Sequence, residues 1–249
     1  DVYKRQALDA QALRNEGGTL RAGIAGAPVA TGTSAIPGAA NANAAGTKGH
    51  LTIKTSGDVV NREQGLMLAM GKLAIDAANV DNTTQSRIVA RDVDIDARGN
   101  VGNLDSAIEA DGTLAIDAET IVNRKKAAAS SSAPAPATPS GQIGALNVTL
   151  KARQSLDNAG RIEGGNVTVT TEALHNRAAG EILGQGGLVD IGTHTYDNAG
   201  KIHSTQAAKL TLTQGANLEI DAALKLPTAD QWLALKANDI TCLLYTSPS

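Results

Sequence analysis

Seven asparagines recur through the chain at near-even spacing: Asn61, Asn82, Asn103, Asn123, Asn158, Asn176 and Asn198. Each stands two residues after an aliphatic or aromatic partner, from Val59, Val80, Val101 and Ile121 to Leu156, Leu174 and Tyr196. A carboxamide donates two protons and accepts through its oxygen, so such a column can stack as a hydrogen-bond ladder or line a binding surface. Asn also tolerates the dihedrals of bends, and the ladder is the expected role. A second column is acidic. Asp76, Asp96 and Asp117 each follow an aliphatic pair, and Asp92 and Asp94 share the outward face with Asp96. Carboxylates stacked about 4.8 Å apart repel, so they stand solvated or share a cation such as calcium. Calcium repeats combine Asp with Gly-rich turns that this column lacks, which favours the solvated face.

The remaining chemistry is sparse. His50, His175, His194 and His203 show no HExxH spacing and share no repeat position. GxSxG and GxxxxGK are absent, and the run Gly184–Val189 lacks the third glycine of a dinucleotide loop. Asn82, Asn147 and Asn166 open N-x-T sequons. A single Cys excludes an internal disulfide and a cysteine zinc site. No catalytic, cofactor-binding or metal residue is assigned, and no cofactor is expected.

The elements that position these columns come from a repeat. Pairs of aliphatics two apart recur about every 21 residues: Leu51/Ile53, Leu73/Ile75, Val93/Ile95 and Leu114/Ile116, then Leu146/Val148, Val167/Val169, Val189/Ile191 and Leu210/Leu212. A third series is Leu68/Met70, Ile88/Ala90, Ile108/Ala110, Ile162/Gly164, Ile182/Gly184 and Ile202/Ser204. Leu8/Ala10, Leu13/Asn15 and Leu20/Ala22 form an earlier copy. A spacing of two is the strand period, since successive strand side chains point to opposite faces. The period predicts an all-β parallel β-helix with coils of 20–22 residues, ~9 coils rising ~4.8 Å each to roughly 43 Å.

Composition agrees. Of 249 residues 42% are hydrophobic but only 2% aromatic, with no Phe, which suits a narrow aliphatic interior. A net charge of −3 argues against a nucleic-acid partner, and no apolar run approaches the ~18 residues of a membrane span.

The expected organisation is a partial coil over 7–22, a low-complexity loop over 23–49, coils over 50–123, an Ala/Ser/Pro-rich segment over 124–141, coils over 142–221 and an unassigned stretch over 222–241, where Trp232–Leu235 suits a strand or a short helix. The 124–141 segment directly follows an Asn position, which suits a loop leaving the shaft; the alternative is a separator between two β-helices. Residues 1–6 and 242–249 do not share the repeat and look like translated adapter sequence, so the chain reads as an internal slice of a longer protein.

The strings LDNAGRI at Leu156–Ile162 and YDNAGKI at Tyr196–Ile202, with LAIDA at Leu73–Ala77 and Leu114–Ala118, resemble the filamentous haemagglutinin-type repeat of two-partner-secretion exoproteins. That resemblance covers most of Leu51–Ile220. It implies a right-handed parallel β-helix, exported through an outer-membrane transporter and secreted or displayed on the surface of a Gram-negative bacterium. Large adhesins and contact-dependent growth-inhibition proteins share the repeat. The expected function is a structural shaft used in adhesion or cell–cell contact, with a host or neighbouring cell surface as partner and no enzymatic activity. A toxin-delivery stalk without a ligand of its own is the first alternative. A polysaccharide-degrading β-helix is the second, disfavoured because Tyr196 and Trp232 are the only aromatics in the repeat region.

Overall fold

The computed structural model describes residues 5–23, 49–124, 141–212 and 233–237. These residues are strand and bend without helix, and parallel strands stack as a β-solenoid of about seven turns. Each coil carries three strand columns. Leu51–Thr55, Val59–Arg62 and Leu66–Ala69 belong to one coil, and each pairs in parallel with its counterpart on either side. Counting by the Asn column gives eight rungs from Asn15 to Asn198. The first strand column runs on at both ends, from Arg5–Ala10 to Leu233–Ala237, with nine steps or roughly 43 Å at ~4.8 Å per step.

The alternation writes the interior. In Leu73–Ala77 the inward residues Leu73, Ile75 and Ala77 are buried, while Asp76 faces out. Ile75 stacks under Ile95, and Ile95 under Ile116, so like packs on like along the axis. The small residues Ala22, Ala69, Ala90, Ala110, Ala145, Gly164, Gly184 and Ser204 form one interior column, all buried. Crowding is severe there: a Cβ on Gly184 would lie 2.8 Å from Val189.

Four pairs are displaced from their expected places. In the run Leu66–Met70 the inward residues are Met67 and Ala69, opposite Ile88 and Ala90, and Met70 is 44% exposed. Apolar residues on both faces there hide the alternation, and a one-residue slip exchanges the faces. Val148 and Leu150, not Leu146 and Val148, lie opposite Leu114 and Ile116, and Leu146 is 58% exposed at a corner. Ala208 and Leu210 continue Val189 and Ile191, leaving Leu212 opposite Thr193. Leu8 and Ala10 face Ile53 and Thr55 rather than Leu51 and Ile53.

The described residues that flank each low-complexity segment lie side by side. A Cβ on Gly141 would lie 2.7 Å from the Arg124 nitrogen, and one on Gly49 would lie 2.3 Å from the Gly23 nitrogen. Strand Thr113–Arg124 pairs with Gln142–Asn158 across the break, so the solenoid is continuous and residues 125–140 are an insertion, not a separator. The first strand, Arg5–Ala10, takes in Arg5 and Gln6 from the segment set aside. Leu233–Ala237 is a strand pairing with Ala208–Leu212 within the unassigned stretch. Trp232, residues 1–4 and residues 238–249 lie outside the described residues.

Tyr196 is the one aromatic in the described interior, 4% exposed and stacked on Leu174. Burial pushes its phenol from 10.0 up to about 12, against the opposing pull of a hydrogen bond with Asn198. Below pH 10 the phenol is neutral whether the chain is folded or not. Above it the unfolded chain ionises first, so stability falls as pH rises toward 12. Tyr196→Phe is therefore expected to remove about 2–3 kcal/mol of alkaline destabilisation between pH 9 and 12. Denaturant titrations of both chains across that range check it; parallel pH profiles would contradict the buried phenol.

Candidate functional site

The asparagine column is a continuous ladder. Each Nδ2 donates to the Oδ1 of the next coil: Asn15 to Asn61 at 2.8 Å, Asn61 to Asn82 at 2.8 Å, Asn82 to Asn103 at 2.9 Å and Asn103 to Asn123 at 2.8 Å. Asn123 to Asn158 at 2.9 Å, Asn158 to Asn176 at 2.8 Å and Asn176 to Asn198 at 2.7 Å complete it. The second amide proton goes to a carbonyl opening the third strand of the next coil, as from Asn103 to the Gln142 oxygen at 2.9 Å. An inner rung thus spends both protons and its oxygen within the shaft and is fully buried. The inner rungs have no amide proton left for a ligand. The ladder's partner column is Gly or Ser at the residue just before the third strand. On Gly65 a Cβ would meet the Asn61 Oδ1 at 2.4 Å and the Asn15 oxygen at 2.7 Å. Where serine stands instead, its hydroxyl joins the network: the Gly65 amide donates to the Ser86 Oγ and the Ser86 amide to the Ser106 Oγ, both at 3.1 Å.

Between these columns the bend is turned by residues in the left-handed region. Glu63, Gln64, Thr84, Gln85 and Asp105 have φ between 57° and 64°. For a β-branched residue such as Thr84 this is unfavourable. Coil-to-coil bonds hold it, with the Gln64 amide donating to the Thr84 oxygen at 2.9 Å and the Gln85 amide to the Asp105 oxygen at 2.8 Å.

The acidic column exists as expected: Asp76 lies opposite Asp96, and Asp96 opposite Asp117. Two of its members hold arginines. Arg98 Nη1 donates to Asp76 at 2.9 Å, while its Nη2 donates to the Thr55 and Ser56 oxygens at 2.9 and 3.0 Å. Arg153 repeats this arrangement, with Nη1 on Asp117 and Nη2 on the Ala97 and Arg98 oxygens at 2.9 and 3.0 Å. Lys151 adds a contact to Asp117 at 2.9 Å. Asp94 pairs with Lys72 at 2.6 Å, and Asp92 accepts the Thr113 amide at 3.0 Å. Lys72, Asp92, Asp94, Thr113 and Ala115 line a shallow depression on this flat face. Among the described residues no group of three His, Cys, Asp or Glu side chains is placed to hold a metal ion.

Two carboxylates are raised above their ordinary value, Asp81 in the short strand Val80–Thr83 and Asp111 at the corner after Ala107–Ala110. Burial, then repulsion from Asp58, raises Asp81, and burial, then Asp92, raises Asp111. The histidines are dispersed. His50 Nδ1 accepts the Lys72 amide at 3.1 Å. His175 lies between Asp157 and Asp197 in register and 3.2 Å from the latter, with Arg177 on Asp157 at 3.1 and 3.2 Å. Of the three sequons, Asn82 is buried in the ladder, whereas Asn166 stacks on Asn147 at 2.9 Å at the surface.

One buried group had no sequence signal. Glu163 faces outward by parity yet is 2% exposed, because Arg161, at 2.5 Å, and Gln185 lie over it. Arg161 is raised above its ordinary value by that hydrogen bond, the arrangement of a structural pair rather than a proton donor. Comparison with protein-family models, with curated proteins and with solved structures gave no match.

Proposed function

We propose that the chain is a segment of a rigid extracellular shaft, in a secreted or surface-displayed exoprotein used for adhesion or cell–cell contact. The observation that carries this reading is the pair of abutting insertion ends, Gly23/Gly49 and Arg124/Gly141, on an otherwise continuous array. A coil that lets chain out at a corner and takes it back in register can hold distance and carry side loops at once. The filamentous haemagglutinin-type strings LDNAGRI and YDNAGKI support the same reading, with an outer-membrane transporter as the partner in export. In this role the chain has no catalysis of its own, which fits carboxylates engaged by arginine and lysine.

If the shaft is adhesive, its contacts are weak and multivalent, and the Ala/Ser/Pro-rich insertion at residues 125–140 is the segment whose removal tests them. Purified chain is then expected to bind host or neighbouring bacterial cells, and removal of Ala127–Ser140 to lower that binding several-fold while leaving the melting temperature within about 2 °C. Binding no greater than that of an unrelated β-solenoid would instead assign the chain to the alternative, a toxin-delivery stalk that spaces other domains.

A further inference from the structure

The corner between the first and second strand columns alternates in length. Thr55–Val59, Ala97–Val101 and Ala152–Leu156 are each one residue longer than Ala10–Leu13, Ala77–Val80 and Ala118–Ile121, the corners of the coils between them. The extra residue changes which carbonyls the next coil uses. Above the long corners, the Ala78 amide donates to the Gly57 oxygen and the Glu119 amide to the Gly99 oxygen, at 2.8 and 2.7 Å. Two carbonyls are passed over each time, Thr55 and Ser56 in one coil, Ala97 and Arg98 in the other. Those are the oxygens that the Arg98 and Arg153 guanidinium groups reach from two coils away, crossing over Asp76 and Asp117 of the coil between. Above a short corner nothing is passed over: the Ala77 and Ala78 oxygens accept the Arg98 and Gly99 amides at 3.1 and 2.8 Å.

We propose that the shaft is built in two-coil modules, each latched by an arginine that ties one long corner to the next across the aspartate of the intervening coil. The latch explains which acidic residues carry an arginine: Asp76 and Asp117 lie in short-corner coils beneath Arg98 and Arg153, while Asp96 lies in a long-corner coil and has Glu119 two positions after its neighbour Asp117. The pattern stops where Thr171–Leu174 and Thr193–Tyr196 are both short and His194 stands at the place of a third arginine. Shaft length is thereby set in steps of about 9.6 Å, two coils at ~4.8 Å each.

Deletions in the full chain test this. Removing Val93–Thr113 takes out one coil and joins Asp92 to Leu114 in register, but it sets Arg153 two coils from the short corner Ala77–Val80, which lacks the extra residue that leaves carbonyls passed over at Thr55–Val59 and Ala97–Val101. Removing Leu73–Thr113 takes out two coils and sets Arg153 two coils from Thr55 and Ser56, restoring the latch. Arg153→Met is expected to lower the melting temperature by about 2–4 °C in the intact chain and in the two-coil deletion, and by less than half of that in the one-coil deletion. Should the one-coil deletion not fold, deleting Gly99 alone shortens one long corner and is expected to silence Arg153→Met in the same way. Equal shifts in every background, or no shift in the intact chain, would overturn the module.

Discussion

Asn103→Leu is expected to destabilise the shaft by about 3–5 kcal/mol, although leucine has the same branched arrangement of heavy atoms as asparagine. Asn103 receives the Asn82 amide and donates to the Asn123 oxygen and the Gln142 oxygen. Leucine removes all three bonds and leaves polar groups of two neighbouring rungs in a site 0% exposed. Each orphaned group costs about 1–3 kcal/mol, and the added apolar burial returns roughly 1–2 kcal/mol. Asn166→Ala is the matched control. Asn166 also bonds to asparagine across coils, but at the surface, where water replaces the lost partner, so its cost should stay near 1 kcal/mol or below. Urea melts of both variants decide; equal costs would mean that the inner ladder is not the polar seam of the shaft.

The fold was legible because a solenoid writes its architecture once per coil. Val59/Asn61 through Tyr196/Asn198 stand in register as their spacing required. Reading failed where local sequence loses contrast. Leu66–Met70 is apolar on both faces, so parity had nothing to distinguish, and Leu146 is an apolar residue at a corner where parity does not apply. The arginine latches were not legible for another reason. Arg98 meets Ser56, and Arg153 meets Ala97, through main-chain oxygens that have no sequence signature. The aspartate column was visible, but its counter-ions come from other coils, and a column read without them suggests a cation site.

Exchanging inside for outside on one strand gives the largest contrast the solenoid predicts. Ile95 is 1% exposed, between Ile75 below and Ile116 above, while Asp94 beside it faces solvent and meets Lys72. Ile95→Asp loses the transfer energy of an isoleucine and leaves a cavity, together about 3–5 kcal/mol. It also places a carboxyl where no donor is available, so the acid is neutral when folded and its pKa lies above that of the unfolded chain. Such a group destabilises the fold further as pH rises through and above the ordinary carboxylate range, so this variant should melt lower at pH 8 than at pH 4 relative to the parent. Asp94→Ile removes one exposed ion pair and adds an apolar residue to a β-surface, a change within about 1 kcal/mol. Thermal melts at the two pH values separate the readings. An array can also fail locally, because each coil touches only its neighbours. Hydrogen exchange is therefore expected to show protection lost around Ile75, Ile95 and Ile116 in Ile95→Asp while Val167–Thr171 keeps it. Similar losses for the two substitutions would show that the strand has no fixed inner face, and the stacked-coil architecture would not survive that result.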